Sequence, residues 1–176
     1  MRPLILLDVD GVLNPSRRSS PRFRRYDGVL DGEPYKVLLD PRDGSRLRNL
    51  AEATGAELAW ATTWEDRANE EIGPRIGLPY LPVIPVMGDP ASLTGEHMKT
   101  RGIARYVRHR PFVWFDDNLV EADHEYLTRH PGVSDFLLVE VDPRTGLTDD
   151  HLGRAREWLM IPSLRAENRS TSGGSG

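Results

Sequence analysis

The chain has 176 residues, of which 38% are hydrophobic and 28% charged, and its formal net charge is −4. This composition is typical of a globular protein, and the lack of cysteine excludes disulfides and thiolate metal sites. No apolar run is long enough to span a bilayer, and no signal peptide precedes the first predicted strand, so we expect a cytoplasmic protein with no membrane partner.

The first part of the chain predicts a strand, a hairpin, a helix and a second strand. Residues 3–9 form a short apolar run, typical of a buried parallel strand. Residues 14–40 are rich in arginine, serine, glycine and proline, and they predict a loop followed by a hairpin with strands near RYDGVL and YKVLL. DGSRLRNLAEATG predicts a helix capped by Gly55, and AELAWA predicts a core strand that ends at Thr62 and Thr63.

The rest of the chain continues this alternation. WEDRANEEIGPRIG predicts a helix that ends near Gly73, and PYLPVIPV predicts a proline-broken strand at the sheet edge. GEHMKTRGIARYVRHR predicts a helix, and PFVWF predicts a strand that runs into Asp116 and Asp117. The last elements are a helix in LVEADHEYLTRHPG, a strand in DFLLVEV and a helix capped by Thr148.

Strands that alternate with helices predict an α/β fold, a three-layer α/β/α arrangement around a doubly wound parallel sheet. Because we find no repeat and no second core, we expect one domain over residues 1–166 and a flexible tail at 167–176. The segment 14–40 leaves the first strand at its carboxyl end. Since ligands bind beyond that end of such sheets, we expect this hairpin to lie over the site.

Polar side chains follow the apolar strands and are expected to converge at one sheet edge. They are Asp8, Asp10, Thr62, Thr63, Asp116 and Asp117. Carboxylates held close together need a cation, and oxygen ligands with open water positions suit Mg²⁺. The predicted ligands are Asp8, the backbone carbonyl of Asp10, and Asp116 or Asp117.

The same carboxylates suit phosphoryl transfer. Asp8 can attack phosphorus to form an aspartyl-phosphate, and Asp10 can act as general acid and base, because the turn at Gly11 lets the chain fold back. Thr62, which directly ends its apolar run, is favoured over Thr63 as a phosphate ligand, and Lys99 would add a positive charge.

Simpler interpretations stay open for several of these residues. Lys99 is alternatively a solvated lysine at a helix start, and Asp117 is alternatively the N-cap of a helix that begins near Leu119. Trp64 is a cleft-wall residue or a stacking partner for a base. The arginine cluster is either a solvated loop or a phosphate-binding segment over the site, and it comprises Arg17, Arg18, Arg22, Arg24 and Arg25.

Four segments, in order, resemble the motifs of the haloacid dehalogenase (HAD) superfamily: LLDVDGVLN, LAWAT, Lys99 before a helix, and VWFDD. The resemblance implies a HAD-like, Rossmannoid fold with Asp8 as nucleophile and Asp10 as general acid/base. It further implies phosphoryl binding by Thr62 and Lys99, and Mg²⁺ binding by Asp116 or Asp117.

A narrower resemblance is to the small phosphatase-like domains of Swiss Army Knife RNA repair proteins, carried by WATTW and VDPRTGLTDDHL. It implies phosphate groups on nucleic-acid ends as substrates. The intervals in which the superfamily often inserts a large cap domain are modest here. The resemblance therefore implies a capless member, whose open site suits macromolecular substrates or is covered by another subunit.

These observations predict a Mg²⁺-dependent phosphohydrolase that acts on phosphomonoesters, with polynucleotide ends as one substrate class. One alternative is a phosphatase of small metabolites or mononucleotides. Another is a phosphate- or RNA-end-binding module without turnover, but binding alone requires neither the nucleophile Asp8 nor the proton donor Asp10.

Overall fold

A computed structural model describes residues 1–30, 32–87 and 95–161 of the chain. The strands are β1 (Leu4–Leu7), β2 (Arg24–Leu30), β3 (Glu33–Leu39), β4 (Glu57–Trp60), β5 (Phe112–Asp116) and β6 (Phe136–Glu140). The α-helices are α1 (Asp43–Thr54), α2 (Gly73–Ile76), α3 (Thr100–Val107), α4 (Glu121–Arg129) and α5 (Asp149–Met160), and a π-helical turn, Ala68–Ile72, leads directly into α2.

The central sheet is parallel, with strand order β4-β1-β5-β6. All four residues of β1 are buried, because the strand has a neighbour on each side and helices against each face. On one face, Ile5 and Leu7 join a core with residues of α1 and α5. On the other, Leu4 and Leu6 pack with residues of α3 and α4. The predicted three-layer α/β/α fold is confirmed.

The strands β2 and β3 form a separate two-stranded antiparallel sheet, so the predicted hairpin is present. Within the described residues no large cap domain is inserted between the strands of the central sheet. The caps predicted at Gly55 and Thr148 are also present: Gly55 is left-handed with φ 66°, and the Thr148 side chain accepts a hydrogen bond from the His151 N–H.

Three predicted elements differ in the structure. The helix predicted within GEHMKTRGIARYVRHR is shorter than this segment: it covers Thr100–Val107 and ends at the left-handed Arg108. The helical segment that includes residues 68–76 does not end near Gly73 but continues to Ile76, before the left-handed Gly77. Pro74 lies at the start of α2, directly after the π-helical turn, and the first helical positions are those that best tolerate proline. The predicted edge strand is reduced to a single parallel bridge between Val83 and Trp60, since prolines flank it and cannot donate to a ladder.

None of the helices in the described part of the chain is long and apolar enough to cross a membrane. The predicted tail at 167–176 and the last residues of the predicted domain, 162–166, lie outside the described residues.

Candidate active site

The carboxyl ends of β1 and β5 bring two buried aspartates side by side. Sheet hydrogen bonding continues past β1, because the Asp8 N–H donates to the Phe115 carbonyl at 3.2 Å. Asp116 is the last residue of β5 and is fully buried, and Asp8 is only 5% exposed. Parallel pairing thus places both carboxylates at the same edge of the sheet, as predicted for strand ends.

Lys99 lies between these two carboxylates. Its Nζ is 2.5 Å from Asp8 Oδ2 and 2.8 Å from Asp116 Oδ2, and the residue is only 3% exposed. Lys99 stands immediately before α3, which matches its predicted position ahead of a helix. The alternative interpretation of Lys99 as a solvated surface lysine is therefore wrong.

Burial and charge shift the protonation of this group. Burial raises the pKa of Asp8 to about 6, with the negative charge of Asp116 adding to the effect and the ammonium of Lys99 opposing it. Burial alone would lower the pKa of Lys99, but the two carboxylates outweigh it and raise that pKa above its ordinary value. Lys99 is therefore charged at neutral pH and offsets the repulsion between the two acids.

Three carboxylates lie close enough together to hold a metal ion. Oxygens of Asp8, Asp116 and Asp117 lie within 4.8 Å of one another. Burial, together with the charge of Asp116, raises the pKa of Asp117, so a cation here would relieve an unfavourable concentration of charge. An all-oxygen donor set of this kind fits Mg²⁺. The carboxylate of Asp10 is not part of this group, which leaves its backbone carbonyl as the predicted contribution.

Asp117 does not cap the following helix. The helix α4 begins at Glu121 with Val120 as its N-cap, so the alternative interpretation of Asp117 as an N-cap is wrong. Its carboxyl group lies instead above the turn after Asp10. A Cβ on Gly11 would stand 2.2 Å from the Asp117 carboxyl carbon, and Gly11 has a left-handed φ of 76°. Glycine is thus required at position 11 both by the backbone and by the approach of Asp117.

The carboxylate of Asp10 is exposed and accepts a hydrogen bond on each oxygen. Asn14 Nδ2 donates to Oδ1 and Trp64 Nε1 donates to Oδ2, both at 2.8 Å. Two residues after the buried Asp8, the chain therefore presents a second, solvent-facing acid.

The two candidate threonines differ in position. Thr62 is fully buried after β4, and its hydroxyl stabilises the ionised form of Asp8 and accepts a hydrogen bond from the Trp64 N–H at 3.4 Å. Thr63 is exposed. Of the two, Thr62 is thus the one placed next to the nucleophile candidate.

Comparison with protein families gives a match over residues 4–152 to the HAD domain in Swiss Army Knife RNA repair proteins. The chain belongs to this family. The matched range contains every candidate residue named above, from Asp8 to Asp117. A search of curated proteins finds no match.

The hairpin of this HAD domain contacts the site at two points. The Leu38 N–H in β3 donates to Asn14 Oδ1 at 2.8 Å, and the Tyr35 ring packs edge-on against Trp64 with centroids 5.5 Å apart. Trp64 thus lies between the hairpin and Asp10, and stacking of a base on its ring stays a prediction.

The five arginines of the predicted cluster are all exposed, but they differ in their partners. Arg22 lies 3.8 Å from the buried carboxylate of Asp40, and Arg25 pairs with Asp27 at 3.0 Å. Arg18 donates to the Pro21 carbonyl at 3.4 Å. Arg17 and Arg24 form no ion pair with any described residue.

The HAD domain also contains a buried acid that we did not identify from the sequence. Asp123 Oδ1 accepts hydrogen bonds from the His97 N–H at 2.6 Å and the Thr100 hydroxyl at 2.5 Å, and Oδ2 accepts one from the Val120 N–H at 2.9 Å. It therefore joins the segment around Lys99 to the start of α4. An acid in the first turn of a helix is the only sequence signal for this role, and it is a common one.

Proposed function

We propose that this HAD domain is a Mg²⁺-dependent phosphohydrolase that acts on phosphomonoesters through an aspartyl-phosphate on Asp8. The observation that carries the proposal is the contact of the buried Asp8 with Lys99 at 2.5 Å, beside Asp116 and two residues before an exposed second acid. A structural salt bridge alone would not require Asp10 at this position.

In the first step, a carboxylate oxygen of Asp8 attacks phosphorus while the bond from phosphorus to the leaving oxygen breaks. Asp10 gives its proton to that leaving oxygen. In the second step, Asp10 takes a proton from water, the water oxygen attacks phosphorus, and the bond to Asp8 breaks. Inorganic phosphate leaves, and both carboxyl groups return to their starting states.

The remaining residues stabilise charge on the transferring group. The Lys99 ammonium and the Thr62 hydroxyl are the buried donors next to Asp8, and they would bind phosphoryl oxygens as these approach. Asp8, Asp116 and Asp117 would hold the metal with the Asp10 carbonyl. Bound Mg²⁺ supplies positive charge to the phosphoryl oxygens.

We further propose that the substrates are phosphorylated ends of polynucleotides. The family takes its name from RNA repair proteins, and the described part of the chain places no cap domain over the strand ends. The exposed arginines that follow Asp10 in the chain offer binding groups for further phosphates of such a substrate.

The test compares wild type with Asp8→Asn on 4-nitrophenyl phosphate, nucleotides and 3′- or 5′-phosphorylated oligonucleotides in Mg²⁺. Because asparagine cannot form the phospho-enzyme, we expect kcat to fall by at least about 10³-fold on every substrate that wild type hydrolyses. Asp150→Asn, which changes an exposed acid in α5, is the matched control. Equal turnover by wild type and Asp8→Asn would exclude the covalent mechanism, and turnover of small esters alone would exclude polynucleotide ends.

A further inference from the structure

The orientation of the Asp10 carboxylate is determined by two side chains rather than by packing. Asp10 is exposed, yet both of its oxygens accept 2.8 Å hydrogen bonds, one from Asn14 and one from Trp64. The donors come from different loops, after β1 and after β4. Each carboxylate oxygen has two lone pairs, so one accepted bond on each leaves a position that can carry a transferable proton.

Both donors are attached in turn to the hairpin. Asn14 uses its carbonyl oxygen to accept from the Leu38 N–H at 2.8 Å while its amide donates to Asp10. Trp64 packs against the edge of Tyr35. The hairpin is therefore connected to Asp10 along two independent routes, one polar and one aromatic.

The Tyr35 end of the aromatic route is itself fixed. Its hydroxyl bonds to Glu71 and accepts from Arg75 Nη1 at 2.6 Å, and Arg75 pairs with Glu71 at 3.1 Å. Because Tyr35 is bonded at its hydroxyl and packed at its ring, it limits the orientations open to Trp64.

We propose that Trp64 and Asn14 are positioning residues for the general acid/base Asp10, and that the hairpin fixes them through Tyr35 and Leu38. The inference rests on the proposed function. Proton donation to a leaving oxygen is sensitive to direction, and a misplacement of about 1 Å can cost 10²-fold in rate. Trp64 and Asn14 need not touch the substrate to affect this step.

This role has a kinetic signature of its own. Loss of general-acid catalysis slows substrates with poor leaving groups far more than those with good ones, because a nitrophenolate departs without a proton. Loss of a base-stacking contact on Trp64 would instead weaken the binding of oligonucleotides, and it would leave the hydrolysis rates of the two small esters unchanged relative to each other. A change in local folding would reduce the rates on all substrates by a common factor.

The experiment measures kcat/KM of Trp64→Phe on 4-nitrophenyl phosphate and on an alkyl phosphate in Mg²⁺. kcat/KM includes only steps up to departure of the leaving group, so breakdown of the phospho-enzyme does not enter. Phenylalanine keeps an aromatic ring against Tyr35 but removes the Nε1–H donor. We expect a loss of about 10- to 100-fold on the alkyl phosphate and of less than about threefold on 4-nitrophenyl phosphate.

Two further variants make the test decisive. Asn14→Asp keeps an acceptor for Leu38 but replaces the donor to Asp10 with a carboxylate, so it should show the same selective loss. Trp158→Phe, which replaces a buried tryptophan in α5, is the matched control. It should change kcat/KM on both esters by one common factor.

The outcomes separate the two proposals. Equal losses on the two esters for both Trp64→Phe and Asn14→Asp would overturn the positioning role while leaving the phosphatase proposal intact. A failure of wild type to hydrolyse any phosphomonoester would overturn the proposed function and the inference with it.

Discussion

The ammonium of Lys99 lies 2.5 Å from Asp8 Oδ2 and reaches Asp116 Oδ2 at 2.8 Å with the same nitrogen. One buried cation thus contacts two buried carboxylates that otherwise repel each other. Removal of one partner from a buried charge group is costly, because the others stay buried without compensation. Lys99 therefore contributes to folding as well as to the proposed binding of phosphate.

Replacement of Lys99 by glutamine should separate these two contributions. In EDTA, we expect Lys99→Gln to lower the free energy of unfolding by about 3 kcal/mol, the scale for breaking a buried ion pair. Mg²⁺ should raise the melting temperature of the variant more than that of wild type, without restoring turnover. The measurement is thermal and urea unfolding with and without Mg²⁺, with the exposed Lys36→Gln as control. A variant as stable in EDTA as wild type would show that Lys99 has no structural role.

Removal of the metal should stop turnover reversibly. We expect EDTA to abolish hydrolysis, Mg²⁺ to restore it, and Ca²⁺ to restore it poorly, because Ca²⁺ takes a larger and looser coordination sphere. Asp117→Asn should increase the Mg²⁺ concentration needed for half-maximal activity, since it removes one charge from the carboxylate group. Undiminished turnover in EDTA would contradict a metal-dependent mechanism.

Arg17 and Arg24, which form no ion pair with a described residue, are the arginines to test for polynucleotide binding. Replacement of Arg17 and Arg24 by alanine breaks no ion pair with a described residue, unlike replacement of Arg22 or Arg25. We expect the double variant to lose kcat/KM on a phosphorylated oligonucleotide but not on 4-nitrophenyl phosphate. Its log–log salt slope should become shallower by roughly one unit per lost phosphate contact. Arg156→Ala, which changes an arginine in α5, is the control. Identical salt slopes for wild type and the double variant would show that these arginines belong to a solvated loop and do not bind substrate.

One carboxyl group outside the candidate site, that of Asp43, should contribute a loss of stability between pH 5 and pH 8. Burial raises the pKa of Asp43 to about 7, although the charge of Arg46, whose Nη1 is 2.5 Å away, opposes the shift. The folded protein thus keeps this proton to higher pH than the unfolded chain, and this group's contribution to stability is lost as the pH rises toward and through 7. Asp40, next to Asp43, has a lowered pKa, because the hydrogen bonds and charge of Arg42 outweigh its burial, so it stays ionised over this range.

Asp43→Asn should flatten this dependence. At about 1.4 kcal/mol per pKa unit, we expect the free energy of unfolding of the variant to rise by about 3 kcal/mol relative to that of wild type between pH 5 and pH 8. Urea unfolding at the two pH values measures it. Asp149→Asn, which changes the exposed partner of Arg46, is the control. If the free energy of unfolding of Asp43→Asn changed with pH in the same way as that of wild type, the raised pKa of Asp43 would be contradicted.

The parts of the site that follow from strand ends could be anticipated from the sequence. In a parallel sheet the residue after each apolar run must lie at one edge, which places Asp8, Thr62 and Asp116 together without any knowledge of loops. Thr62 directly ends its apolar run and Thr63 does not, and this difference matches their burial.

The parts of the site that depend on loops could not be predicted from the sequence. Nothing in the spacing between Asp10 and Trp64 indicates a hydrogen bond, since it depends on how two loops fold against each other. Asn14 looks like an ordinary turn residue in the sequence, and Asp123 like an ordinary acid in the first turn of a helix. The end of α2 at Ile76 could not be predicted for a related reason: a proline at a helix start and a proline that stops a helix look alike until the hydrogen bonds are known.

The antiparallel pair β2–β3 shares no strand with the central sheet. Its length, its turn and its outward-facing side chains can therefore vary during evolution without any change in the register of the four parallel strands. Such variation is limited on the inner side of the hairpin, where Leu38 and Tyr35 meet Asn14 and Trp64 and where Val37 and Leu39 are buried in the core. We therefore expect substitutions on the outward-facing side of the hairpin to change contacts with a bound substrate without moving the core or the carboxylates at the strand ends.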